Sequence, residues 1–174
     1  MKKYIIASIV GMGIMSGTVA HAANNEVTFL GTVSATTCDL TTSVNGTTQP
    51  NQVVQLGTVA KTAIGNEVNF AMKPADPTAP GCLGMTQKTA TITWASAKLD
   101  NEGFGATSGT ATDAKVLVES KNSRTPKAVN ANASVIDFDV DKLTTDGLQF
   151  TAKLKGGQIE GDFKSVASFA VAYK

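Results

Sequence analysis

The chain has 174 residues, with 15 Lys and Arg against 14 Asp and Glu, a formal net charge of +1, and 42% hydrophobic but only 6% aromatic residues. A balance this even, with the lysines scattered, excludes the basic footprint of a nucleic-acid or anionic-membrane binder. The length suits one domain after processing, and the wealth of Thr, Ala, Val and Gly favours strands over helices.

The first element is a targeting segment. Lys2 and Lys3 precede an apolar stretch from Tyr4 to Met15, and Ala20-His21-Ala22 carries a small-x-small cleavage pattern, so residues 1–22 are expected to be a signal peptide and the mature chain to begin at Ala23. The apolar run is too short to span a membrane and nothing later approaches one, which predicts an exported, soluble product. Loss of two lysines moves the net charge from +1 to −1. No Cys follows the cleavage site, which argues against a lipid anchor.

Next, Val27, Phe29, Gly31 and Val33 alternate with Thr28, Leu30 and Thr32 just ahead of Cys38, the period of two that marks a strand. Val44-Asn45-Gly46-Thr47 carries the Asn-Gly signal of a tight hairpin turn. Strands are predicted over 53–56 and 67–72, the latter with Val68, Phe70 and Met72 on one face. Pro74, Pro77 and Pro80 with Gly81 break the pattern into a loop that delivers Cys82. Further strands are predicted over 89–94, 115–119, 134–140 and 148–154, with 103–112 a Gly- and Thr-rich connection. At the end, Phe169, Val171 and Tyr173 alternate with Ala170, Ala172 and Lys174. Short strands at this spacing, punctuated by Gly and Asx turns, imply an all-β sandwich. Trp94 reads as core filler on one of its strands.

The catalytic inventory is thin. The single histidine, His21, falls inside the signal peptide, so Ser-His-Asp and Cys-His sites and histidine-ligated zinc are not expected in the mature chain. No Gly-rich phosphate loop with a following Lys is present. Asp137, Asp139 and Asp141 resemble the opening of a calcium loop, but the sixth position is Lys142 instead of Gly and the twelfth is Leu148 instead of Glu. The spacing fits a one-sided strand better, with Ile136, Phe138 and Val140 inward and the aspartates in water. Cys38 and Cys82, an even pair in an exported chain, read as a disulfide that closes a long loop and contributes roughly 3 to 4 kcal/mol. Free or catalytic thiols are the lesser reading. No enzyme activity and no cofactor are expected. Asn45-Gly46-Thr47 and Asn132-Ala133-Ser134 match the glycosylation pattern and, in a bacterial protein, read as turns.

Several of these features together resemble the pilin subunits of bacterial chaperone-usher fimbriae, the type 1 family. The residues that carry the likeness are Val27-x-Phe29-x-Gly31 with Cys38 seven positions later, the second cysteine Cys82, and 148–154 with Phe150 and Ala152. The most specific is the terminus, where Gly161 is fourteenth from the end and Tyr173 penultimate. The stretch Val68-Asn69-Phe70-Ala71-Met72-Lys73-Pro74 is also similar to major subunits of enterotoxigenic fimbriae that bind host glycans.

The resemblance implies an incomplete immunoglobulin-like β-sandwich lacking its last strand. It divides the chain into a signal peptide (1–22), an N-terminal donor-strand extension (23–34) and a pilin domain (35–174). Val27, Phe29, Gly31 and Val33 would form the donor strand. Gly161, Phe169, Val171, Tyr173 and Lys174 would form the C-terminal groove strand recognised by a periplasmic chaperone, with an outer-membrane usher and neighbouring pilin subunits as the other partners. A major shaft subunit carried through the periplasm to a surface fimbrium is the expected role, supporting adhesion to host cells. The alternatives are a minor adaptor pilin, a subunit that itself binds host sugars through loops such as 121–127 or 100–110, and a self-contained secreted immunoglobulin-like enzyme or inhibitor.

Overall fold

The computed structural model describes residues 38–49 and 51–174. The expected signal peptide (1–22) and donor extension (23–34), with Val27, Phe29, Gly31 and Val33, lie outside the described residues.

Ten strands follow in order: β1 Leu40–Val44, β2 Thr47–Thr48, β3 Val68–Pro74, β4 Thr89–Ala95, β5 Phe104–Gly105, β6 Lys115–Ser120, β7 Ala128–Val129, β8 Val135–Asp139, β9 Leu148–Lys155 and β10 Ser168–Tyr173. A 3-10 turn, Val140–Leu143, separates β8 from β9. The strands form two antiparallel sheets. The larger runs β2-β1-β3-β9-β6-β5, with β7 also paired to β6; the smaller runs β10-β4-β8. This is the all-β immunoglobulin-like sandwich that the strand spacing implies.

Period two sets which side chains meet. Val44, Phe70, Phe150 and Ser120 lie in one row across the larger sheet, and Val171, Ile92 and Ile136 in one row across the smaller. The two inner faces close on each other over an aromatic cluster. Phe70 stacks on Phe150 at 5.4 Å, and Trp94 and Phe138 present their edges to Phe150 at 5.5 and 5.3 Å. Phe138, Ile92, Ile136 and Leu148 are fully buried. Burying side chains of this size stabilises the fold by about 1.5–3 kcal/mol each.

The hairpin turn expected at Asn45-Gly46 joins β1 to β2, with φ of 48° and 85° at the two residues, the left-handed pair that a two-residue type I′ turn requires. Cys38 and Cys82 form a disulfide with Cα atoms 4.7 Å apart, and both are buried. It fastens the chain two residues ahead of β1 to the proline-rich loop after β3.

Several expectations change, Glu67 falling outside β3 and Phe104–Gly105 forming β5 inside the expected connection. No regular strand forms over 53–56; Gln52 and Gly57 on either side have φ of 50° and 73°, which turn the chain out of any ladder, although Val54 and Leu56 still pack on the core. Pro74 ends β3 from within instead of breaking it, because a last residue opposite Leu40 needs no N–H of its own. Ser134 and Val140 fall outside β8, the latter in the 3-10 turn.

Candidate functional site

The C-terminal strand β10 is where the sandwich stops short. It pairs with β4 on one side, Phe169 opposite Trp94, Val171 opposite Ile92 and Tyr173 opposite Ala90, and no described strand pairs with its other side. Lys174 and Thr89 exchange both main-chain bonds, at 2.9 and 3.0 Å. By the alternation of an antiparallel ladder, Ala172 and Ala170 therefore turn their N–H and C=O groups towards β4, while Phe169, Val171 and Tyr173 turn theirs outward. The same three residues carry the apolar side chains, which point at the core yet are only half-buried, whereas Ala90 and Ile92 beside them are fully buried. Val54 and Leu56, on the stretch without a ladder, edge the same core. Trp94, 5.9 Å from the Phe169 ring, holds a buried indole N–H with no acceptor among the described residues. An apolar edge with open main-chain groups is a template for another strand.

The end of β10 is fixed in place. The Tyr173 hydroxyl donates to the Cys38 carbonyl at 2.9 Å, which ties the penultimate residue to the disulfide. Burial, with the Asp39 carboxylate nearby, pushes the Tyr173 phenol up to about 12. The terminal Lys174 carbonyl oxygen accepts N–H bonds from Lys88 at 2.8 Å and Thr89 at 3.0 Å. Gly161 lies outside β10, in the connection before it. Its φ is 138°, and a Cβ there would stand 1.7 Å from the Thr110 hydroxyl oxygen, so the position admits only glycine while that loop packs as it does.

The loop over 121–127 is built as a brace. The Ser120 and Ser123 hydroxyls meet at 2.8 Å, Asn122 bonds both the Gly147 carbonyl and the Gln149 N–H, and Arg124 binds the Asp139 carboxylate at 2.7 Å and the Lys88 carbonyl. Lys121 pairs with Glu67 at 3.4 Å. Lys121 and Arg124 are thus both engaged within the domain. Asp137 accepts the Thr91 hydroxyl at 2.6 Å, and no metal-holding cluster of His, Cys, Asp or Glu occurs among the described residues.

A second polar centre joins the 100–110 loop to β6 through Asp100 and Lys115. Asp100 closes a turn by accepting the Glu102 and Gly103 N–H groups on Oδ1, at 2.9 and 3.1 Å, and takes the Lys115 ammonium on Oδ2 at 2.6 Å. Lys115 also reaches Glu102 at 3.1 Å, and Lys155 binds the same Glu102. The Lys115 hydrogen bond, then the two N–H groups, hold the Asp100 carboxyl down at about 2. Asp100 and Lys115 are 15 residues apart, and the pairing of β5 with β6 brings them together.

An immunoglobulin-like sandwich with its C-terminal strand open at the edge is the architecture of a pilin. No protein-family profile matches the chain. It is 43% identical to the F107 fimbrial protein of Escherichia coli over 175 residues, 100% of both chains, and 30% identical to the K99 fimbrial protein of Escherichia coli over 186 residues, 99% of both. The chain belongs to this family of fimbrial subunits, of the chaperone-usher type.

Proposed function

We propose that the protein is a non-enzymatic structural subunit of the fimbrial shaft, the major one, and that it polymerises by donor-strand exchange. The observation that carries this reading is the unpaired outer edge of β10, with Phe169, Val171 and Tyr173 half-buried along it. Residues 23–34 of the next subunit would add the missing strand, with Val27, Phe29 and Val33 filling apolar sites and Gly31 letting the two backbones approach. Three large side chains at roughly 1.5–3 kcal/mol each, with a ladder of main-chain bonds, drive the insertion against its ordering cost. Donor and acceptor surfaces differ, so the contact is head-to-tail and open-ended, and its product is a filament.

Before assembly the same edge needs cover. A periplasmic chaperone would supply a strand of its own, anchored at the Lys174 carboxylate, and an outer-membrane usher would exchange it for the next subunit's segment at the cell surface. The assembled fimbrium would then support adhesion to host cells. The test compares the mature chain with a form lacking residues 23–34, to which a synthetic peptide of that segment is added. A large rise in Tm, abolished when the peptide carries Gly31→Lys, is the expected result; a truncated chain already stable and monomeric, with no rise, overturns the reading.

A further inference from the structure

Trp94 holds a buried donor that nothing among the described residues meets. The residue is 8% exposed, and its indole N–H has no hydrogen-bond partner there. Leaving such a group unpaired is costly, and buried polar atoms in folded proteins are as a rule satisfied. The surroundings explain the lack. The rings of Phe70, Phe104, Phe150 and Phe169 stand 6.4, 5.8, 5.5 and 5.9 Å from the indole, and a phenyl face accepts only weakly. A trapped water would itself need about two to four polar partners, which those rings do not supply. We infer that the acceptor is the main-chain carbonyl of Gly31 on the strand inserted by the next subunit, and that Trp94 thereby sets the register of insertion.

This inference rests on the donor-strand reading and adds a residue that chooses among alignments. Phe169, directly opposite Trp94, lies on β10, whose outer side no described strand covers, so the indole stands one strand away from the incoming segment. Within the alternating stretch 27–33 the inward positions are Val27, Phe29, Gly31 and Val33. Three of these carry hydrocarbon side chains, which offer no acceptor and screen their own backbone. Gly31 leaves its carbonyl open towards the core, and the two lone pairs of that oxygen can serve the ladder and the indole together. A slip of one residue turns every inward side chain outward and is rejected on apolar burial alone. A slip of two replaces apolar by apolar and passes that test. It would, however, bring Phe29 or Val33 against Trp94 and leave the N–H unmet. Trp94 is in this sense a positioning residue for assembly, separating the correct alignment from the next best.

The chain has one tryptophan, and Gly31 is the one glycine in 23–34, so both partners can be labelled without ambiguity. Mature chains with a nitrogen label in the indole are co-assembled with mature chains labelled at the glycine carbonyl carbons. Solid-state NMR then measures dephasing of the indole nitrogen by the labelled carbon, which in this mixture arises only between subunits. Electron microscopy scores fibre formation separately. Fibres with clear dephasing, absent from the same mixture kept unassembled, are the expected result. Fibres in which the indole shows no contact with a glycine carbonyl overturn the inference and leave donor-strand exchange standing. No fibres, or fibres that still form from chains lacking 23–34, overturn both. A second variant, Trp94→benzothienylalanine, keeps the shape of the side chain but exchanges the N–H for sulfur. Its fibres should dissociate in denaturant about threefold to tenfold faster; an unchanged rate counts against the inference. If that variant fails to fold, the dephasing in unsubstituted fibres decides the matter.

Discussion

Tyr173 and Asp100 respond to pH in opposite directions. The Tyr173 phenol is held at about 12 against an ordinary value of 10.0, so its contribution is complete below pH 10 and is lost as pH climbs through 12. For a half-buried ring, solvent screening leaves about 1–2 kcal/mol of that contribution. Alkaline unfolding followed by circular dichroism should show this loss, and Tyr173→Phe should weaken the pH dependence above pH 10 while costing about 1 kcal/mol for the hydrogen bond to Cys38 at all lower pH. Asp100 works the other way: its carboxyl is held at about 2 against 3.8, so its support is present above 3.8 and fades as pH falls through 2. In an acid titration Asp100→Asn should lose less stability through that window than the parent protein does. In the core, Phe150 touches Phe70, Trp94 and Phe138 together, and Phe150→Ala should cost about 3–5 kcal/mol in denaturant unfolding.

Among the elements, β10 is the one on which the proposed assembly rests. Val171→Lys would place an ammonium in the row of Ile92 and Ile136, where an added strand would have to bury it. The isolated domain should lose little stability, since Val171 is only half-buried, but binding of the 23–34 peptide should fall by more than tenfold in a Tm-shift titration. Much of this element pattern was legible in advance. Strands β3, β4, β6, β8, β9 and β10 announce themselves by alternation, as with Val68, Phe70 and Met72, and Asn45-Gly46 announces its turn. What stayed hidden lacks that alternation. β1 is Leu-Thr-Thr-Ser-Val, with Thr42 and Ser43 both buried, and it is a strand because β3 pairs with all of it. β5 and β7 have two residues each, too short for any period to show. Residues 53–56 have the composition of a strand but no ladder, because positive φ on both sides takes them out of register. The Asp100 and Lys115 pair left no local signal either, since only the strand pairing that folds Gly105 onto Lys115 joins them.

At the scale of the molecule, one covalent bond shapes how the domain holds together. Closing a loop over a separation of 44 residues stabilises the fold by about 4 kcal/mol in the chain-entropy treatment. Cys38→Ser with Cys82→Ser should lower Tm by well over 5 °C, measured by calorimetry in the presence of the 23–34 peptide so that the edge of β10 is equally covered in both forms. The position of the bond matters as much as its strength. In a fibre joined through residues 23–34, tension enters each subunit from the N-terminal side and reaches Cys38 before any described strand. There it passes directly to Cys82, so β1, β2 and β3 cannot be peeled away one after another. The bypassed 44 residues represent about 150 Å of chain that would otherwise pay out under load. In a fibre so joined the crosslink would act as a strain limiter, and such a filament should lengthen more readily under load after a reductant has opened it.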